Sequence, residues 1–452
     1  MSILQKIYDK SPVFFQNIMV SLKGKLNEKS RYGKEYYEYR KFLEDFDTWE
    51  LKRKENYQIK KLLEFIKYVY DNSEFYHELY KDIDINSIKS IYDLKKLPVV
   101  DKEMIRNNIE KCVIKKDNKY TELNTGGTTG KSLSIIMTDK DFFQRMAMLD
   151  HFKHRVGFEH LKMKRATFNG KHIIPPNQKK KIFWRYNNSC KQMIYSSFHL
   201  TEENIGFYIK SLNKFKPQAI DGFFTSMCDV ANYIERHNVS LDFVPIAIFP
   251  TSETLTKEGR ELLERVFKCK VYDQYASSEG APFVTECKNQ VLHIEQASGV
   301  FEKYEDSDEI LVTSFTTHAT PLIRYRIGDR MIFSDRKCEC GNESPVIESI
   351  EGRKLDFLYT AEGAKINAGN VSNLLKYLPN VVIRSQFIQE KINEVVLLIE
   401  VDKRTYKEEY DDLIQEEFVH TFGQNTKLEI RHVDEIPREV SGKFRMIKNS
   451  VI

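Results

Sequence analysis

Through the first hundred positions apolar residues recur at three- and four-residue steps, as in Ile59, Leu62, Leu63, Phe65, Ile66, Val69 and Tyr70, the spacing that turns one face of a helix toward a core. Pro98 stops one element of this helical lead-in. Asp101 caps the next element, whose Met104, Ile105 and Ile109 carry the chain toward a glycine-rich stretch. Beyond that stretch the period switches repeatedly between two and 3.6. Strands are predicted over 133–137, 165–169, 218–223, 245–249 and 270–275, with helices over 139–156, 202–215, 229–237 and 257–267. Such alternation implies an open, largely parallel sheet covered by helices. Strand patterns with short turns over 310–315, 322–327 and 331–334 predict a small antiparallel subdomain. After Gly352 the pattern changes again, to a helix over 371–378, strands over 381–387 and 394–401, a charged helix over 406–422 and a strand over 427–433. The expected organisation is α/β: a large N-terminal domain, 1–352, with a helical lead-in to about residue 120, and a small α+β domain, 353–452.

Composition narrows the function classes. With 30% charged and 41% hydrophobic residues in 452, the chain can bury a sizeable core and is not disordered in bulk. Seventy basic against 66 acidic side chains leave a net charge of +4, too small over this length for a nucleic-acid footprint. No apolar run reaches membrane-spanning length and the N-terminus lacks the apolar core of a signal peptide, so a cytoplasmic location is expected. The basic, aromatic-rich first segment is expected to pack on a core rather than lie on a membrane surface. Seven cysteines without a secretion signal argue against structural disulfides.

Candidate chemistry begins at Asn124-Thr125-Gly126-Gly127-Thr128-Thr129-Gly130-Lys131-Ser132. Glycines let backbone N–H groups approach an anion, hydroxyls add donors and the lysine adds charge. A Walker loop needs glycine where Thr125 stands. Taken alone, the stretch reads equally as a phosphate site or as a glycine-rich hairpin turn. Three later stretches fall beyond the carboxyl ends of predicted strands, where ligands of open α/β sheets bind: Phe223 to Ser226, Thr251-Ser252-Glu253, and Ala276 to Gly280.

The glycine loop, Tyr275-Ala276-Ser277-Ser278-Glu279, Tyr325-Arg326-Ile327-Gly328-Asp329 and Pro437-Arg438-Glu439-Val440-Ser441-Gly442-Lys443, in this order, resemble the adenylate-forming superfamily of acyl-CoA synthetases. Within it, Phe168-Asn169-Gly170-Lys171, Trp184-Arg185, and Lys216-Pro217 with Gly222-Phe223 are similar to the phenylacetate-CoA ligase and CapK-like branch, linked to capsule or surface-polysaccharide synthesis. The resemblance implies that Thr125, Gly126, Gly127, Thr128, Thr129, Gly130 and Lys131 grip the β- and γ-phosphates of ATP. It further implies that Tyr275 stacks on adenine beside Ser278, that Glu279 holds Mg²⁺ as a hard oxygen ligand, and that Asp329 binds the ribose hydroxyls. Ser252 and Glu253 would line the adenine pocket, and Lys443 would reach the α-phosphate and the substrate carboxylate. Arg353 matches the family arginine at the domain hinge, but Leu355 stands where the family commonly has aspartate, with Asp356 one place later. Asn169, His172, Phe224 and Ser226 are candidate acid-pocket residues by position alone.

Cys338 and Cys340 form a thiolate pair on a tight turn, and Cys287 with His293 completes a Cys₃His set suited to structural Zn²⁺. Similar Cys-x₅-His and Cys-x-Cys pairs occur in the same ligase branch. The expected activity is an ATP-dependent, AMP-forming ligation of a small carboxylic acid, with CoA as acceptor. The alternatives are an amine or hydroxyl acceptor in polysaccharide synthesis, or a non-catalytic nucleotide binder of the same fold. A homodimer is the candidate assembly.

Overall fold

The computed structural model describes residues 3–115, 120–125, 133–175, 178–351, 357–379, 381–401, 403–436 and 446–451. A six-stranded sheet lies at the centre, in the order Trp184–Asn187, Gln192–Ser196, Arg165–Asn169, Ala219–Phe223, Ala247–Thr251 and Lys270–Val271; all neighbours are parallel except the first pair. Alternation places its side chains on two faces. Ile220 and Ile248 enter one core with Leu263 and Phe267 of the helix Lys257–Phe267. Ala219, Ala247 and Phe249 enter another with Phe152 of the helix Asp139–His154. The latter helix starts at Thr138, whose hydroxyl accepts from Asp141 N at 3.0 Å.

A seven-stranded antiparallel sheet lies beside it, in the order Gly299–Lys303, Glu309–Ser314, Tyr325–Ser334, Val346–Glu351, Leu292–Ile294, Val284–Glu286 and Gln274–Tyr275. This is larger than the subdomain expected from residue 309 onward. Three details also differ. The predicted strand 270–275 divides between the two sheets, because the chain turns at Tyr272-Asp273 and alternation carries no mark of such a transfer. The strands expected over 322–327 and 331–334 form one ten-residue strand, Tyr325–Ser334. The helix expected at 229 begins at Phe224.

The helix Leu51–Asn72 covers the antiparallel sheet, packing Leu62, Phe65, Ile66 and Val69 against a core that includes Ile294, Val300, Ile310 and Val312. A partly buried ionic network holds the preceding helix, Lys34–Asp47: Arg155 donates to Asp47 at 2.5 and 2.8 Å and also bonds Glu295. The first two helices, Ile3–Lys10 and Val13–Arg31, depart from expectation. They meet the rest of the molecule largely through polar groups. Tyr8 Oη donates to Ile173 O at 2.6 Å, and Gln16 Oε1 accepts from the buried Arg185 at 2.6 Å.

The C-terminal unit has a two-stranded hairpin, Phe357–Tyr359 with Lys365–Asn367, and a four-stranded sheet in the order Lys427–His432, Glu394–Val401, Val382–Lys391 and Ile447–Asn449. Val395, Leu397 and Ile399 point from one face onto Ile414, Phe418 and Phe422 of the helix Glu409–Phe422. The helix expected over 371–378 is Ala368–Asn373. No described helix is long and apolar enough to cross a membrane.

Candidate active site and metal centre

The parallel strands Ala219–Phe223 and Ala247–Thr251 end side by side, with Phe223 opposite Thr251. Immediately beyond, Ser252 is exposed and adopts the left-handed conformation, φ +67°, which a side chain other than glycine occupies only under strain. Glu253 turns its carboxylate back over the neighbouring strand end. It accepts from Thr225 N at 2.7 Å, Thr225 Oγ1 at 3.0 Å and Asn367 Nδ2 at 2.6 Å. Burial pushes its pKa up, and these donors oppose that shift.

Gln274 Nε2 donates to Pro250 O at 3.4 Å, bringing the antiparallel sheet against the same edge. The next residue, Tyr275, donates its hydroxyl to Asp329 Oδ2 at 2.8 Å. Two candidates 54 positions apart thereby form one unit. Ser278 is exposed and Glu279 half-buried on the turn that follows. Gly280 closes that turn at φ +98°, where a Cβ would come within 2.7 Å of Thr317 Cγ2. Arg145 braces it from below, donating to Gly280 O and Ala281 O at 2.8 Å each and to Ser277 O at 3.3 Å. Burial lowers the Arg145 pKa to about 10, while Asp141 and Tyr275 pull it upward.

Tyr120–Thr125 and Leu133–Thr138 pair antiparallel, with Thr125 opposite Leu133. The residues joining them include Gly126, Gly127, Thr128, Thr129, Gly130 and Lys131, which lie outside the described residues, as do Arg353 and Lys443. The hairpin is pinned to the Tyr275 side of the site. Thr320 Oγ1 accepts from Ile136 N at 3.0 Å and donates to Ile136 O at 2.9 Å. His318 N donates to Asp141 Oδ2 at 2.9 Å.

The four acid-pocket candidates do not share one environment. Phe224 is buried in the core, its ring against Gly259, and Ser226 is buried two residues further along the same helix. Asn169 ends its strand and accepts from Lys171 N at 3.1 Å. His172 stacks on Phe198 at 5.0 Å and faces His420 of the C-terminal unit at 5.6 Å. Burial first, then His420, pushes its pKa down to about 4. The C-terminal hairpin reaches the same side, where Lys365 Nζ pairs with Asp229 at 2.7 Å and Asn367 binds Glu253.

At the far end of the antiparallel sheet, one ligand atom from each of Cys287, His293, Cys338 and Cys340 lies within 4.8 Å of the others. His293 Nδ1 sits 2.9 Å from Ser344 O, which selects the tautomer with Nδ1–H donating and leaves Nε2 to face Cys340 Sγ at 3.6 Å. The donor set and this outer hydrogen bond fit a closed, structural Zn²⁺ site. Lys54, only 1% exposed, donates to Asn342 Oδ1 at 2.9 Å, so the cysteine turn also anchors the helix Leu51–Asn72.

Arg145, Thr320 and Asn367 are not among the sequence candidates, and Thr225 is so only as part of the stretch Phe223 to Ser226, with no role of its own. Each acts on a partner at least 28 positions away, which no local pattern reveals.

The 2-hydroxyisobutyryl-CoA ligase in the postadenylation state, in complex with R3-HIB-AMP, superposes with a TM-score of 0.56 over 89% of this chain and 91% of that one, at 14% identity. The same enzyme with 2-HIB-AMP and CoA, in the thioesterification state, gives 0.56 over the same shares at 16% identity. The fold is therefore that of the adenylate-forming acyl-CoA ligases. Within that class the phenylacetate-coenzyme A ligase of Thermus thermophilus is 23% identical over 249 residues, 47% of this chain and 55% of that protein. The model of the CapK C-terminal domain matches residues 358–450. Protein CapK of Staphylococcus aureus is 40% identical over 461 residues, covering 99% of this chain and all of that protein. The chain belongs to the CapK family.

Proposed function

We propose that the protein is an ATP-dependent, AMP-forming carboxylate ligase. The observation that carries this reading is the Tyr275–Asp329 pair at the edge where Ser252 and Glu253 leave the parallel sheet. It supplies an aromatic face and a carboxylate acceptor side by side, the two groups a nucleoside requires. Tyr275 stacks on the base next to Ser278, Asp329 accepts from the ribose hydroxyls, and Ser252 and Glu253 close the base pocket. Residues 125–131 hold the β- and γ-phosphates. Glu279 would hold Mg²⁺, which when bound neutralises charge on the phosphates.

The substrate carboxylate attacks the α-phosphorus, forming an acyl–oxygen–phosphorus link as the bond to pyrophosphate breaks. Like charges meet in that transition state. The Lys443 ammonium lowers its energy electrostatically, without covalent participation. Arg353, by its match to the family arginine, would lie at the hinge about which the C-terminal unit turns for the second step. There an acceptor attacks the acyl carbonyl and AMP leaves. CoA is the first-choice acceptor, supported by the acyl-CoA ligase fold. An amine or hydroxyl of a surface-polysaccharide precursor is the second, supported by full-length kinship with CapK, against half-length similarity to a CoA ligase.

Carboxylate-dependent ATP–pyrophosphate exchange, run across aryl, fatty, amino and uronic acids, tests the first step. Exchange with one acid class, abolished in Lys443→Ala, is expected. ATP binding with no exchange for any acid would leave a nucleotide binder of the same fold. AMP release on adding CoA, compared with amine or hydroxyl acceptors, then assigns the second step.

A further inference from the structure

The first two helices are mounted inside out. Seven of the fifteen large hydrophobic side chains that stand exposed among the described residues fall within positions 4–26. On the helix Val13–Arg31, Phe14, Ile18, Leu22 and Leu26 follow at four-residue steps, with Phe15 beside them, and so form one continuous stripe. Phe14 is 69% exposed, Leu22 59% and Leu26 70%. The opposite face of this helix meets the body through Gln16, Asn17, Ser21 and Gly24. Asn17 Oδ1 accepts from Tyr186 N at 2.9 Å, and Ser21 Oγ accepts from Asn188 N at 3.0 Å. A Cβ on Gly24 would come within 2.3 Å of Asn187 Oδ1, so the helix lies close against the parallel sheet's edge and cannot roll its apolar stripe inward. Leu4 and Ile7 of the preceding helix are exposed as well, and Ile7 and Phe15 line a cleft of about 590 Å³ with Lys6 and Lys10.

Charge indicates the occupant. Residues 1–27 contain four lysines, Lys6, Lys10, Lys23 and Lys25, against one acid, Asp9, and all four lysines are exposed. Lys23 and Lys25 flank the stripe between Leu22 and Leu26. A lysine can lay its methylene stem along an apolar surface while its ammonium reaches outward to anionic headgroups. An apolar stripe bordered by lysines, on a helix fixed parallel to the molecular surface, has the construction of an in-plane interfacial anchor. A second copy of the same face fits less well, because twofold pairing would oppose these lysine-rich rims.

We propose that helices 3–10 and 13–31 dock the protein on an anionic lipid bilayer, with Phe14, Leu22 and Leu26 entering the headgroup boundary. The proposal stands independently of the ligase reading. The full-length protein is floated with vesicles of phosphatidylcholine containing one third phosphatidylglycerol, and with phosphatidylcholine alone. Binding to the anionic vesicles is expected, weakened by salt and by Lys23→Glu with Lys25→Glu. Phe14→Asp with Leu22→Asp should reduce partitioning at least about tenfold. Both side chains are exposed, so the fold should be unchanged, which circular dichroism checks. Absence of binding to anionic vesicles, or equal binding by the Asp variant, overturns the proposal. A dimer that the same substitutions split, with vesicles ignored, also overturns it and assigns the face to a second copy.

Discussion

Asp273 shows how one position can combine local constraint with a measurable property. It lies where the chain passes from one sheet to the other, two residues before Tyr275. Its carboxylate accepts from Gln274 N at 2.8 Å, while the neighbouring Glu286 is bound by Arg260 at 2.6 and 3.1 Å. Burial, followed by the Glu286 charge, raises the Asp273 pKa to about 7. A carboxyl that holds its proton more tightly when folded contributes stability that is fully present below the unfolded value near pH 4 and lost as pH rises through 7. Asp273→Asn should remove that term. Between pH 5 and 8 the wild type should lose on the order of 2 kcal/mol relative to the variant in urea unfolding. Parallel pH profiles for the two proteins would refute the assignment. Arg145 is the converse case. In the sequence it is one more basic residue on a helix, and only the fold brings the carbonyls of 277, 280 and 281 to its guanidinium.

Among elements, legibility followed apolar periodicity. Helices 202–215 and 257–267 and the central parallel strands lie within a few residues of their expected places, because each buries a mainly apolar face, and helix 139–154 does so too, although Asp141, Arg145, Asp150 and Lys153 are buried beside its Phe143, Ala147, Met148 and Phe152. Trp184–Asn187 and Gln192–Ser196 carry no clear strand pattern because Arg185 and Gln192 are buried polar residues, satisfied by the distant Gln16 and Thr167. The helix at Phe224 began earlier than expected because Thr225 and Ser226 have the composition of a strand-end turn. The Cys₃His set was legible as a composition, but its proximity required the antiparallel pairing of Leu292–Ile294 with Val346–Glu351, which sets His293 opposite Val346. Chelation and substitution test whether this set carries structural weight. Purified protein should carry about one zinc per chain, and Cys338→Ser should lose it and melt several degrees lower, since metal affinity at such sites is folding energy. Metal analysis with thermal unfolding, with and without chelator, decides this. A wild type free of zinc and indifferent to chelator would contradict it.

For the whole molecule, the polar contacts of the C-terminal hairpin define one docked arrangement. Lys365 bonds Asp229 on the helix that begins at Phe224, and Asn367 shares Glu253 with Thr225. The groups facing Lys365 there include the Asp229 carboxylate, the Phe357 ring at 5.8 Å, and the Tyr359 and Cys228 side chains. Lys365→Ala should cost the docked form about 1 kcal/mol and shift its population roughly fivefold, seen as a larger radius of gyration in solution scattering. An unchanged radius would show that the apolar contacts around Phe198 suffice. The remote pairing of the lead-in has a different consequence. Gln58 meets Gly299 O 241 positions later, and Lys54 meets Asn342 288 positions later. At translation rates of about 5–20 residues per second, the helix Leu51–Asn72 would wait roughly 15–60 s on the ribosome before its sheet is synthesised. For that interval its Leu62, Phe65 and Val69 would lack the cover that Ile294, Val300, Ile310 and Val312 give them, which would make the nascent chain a client for chaperones and its yield sensitive to the pace of elongation.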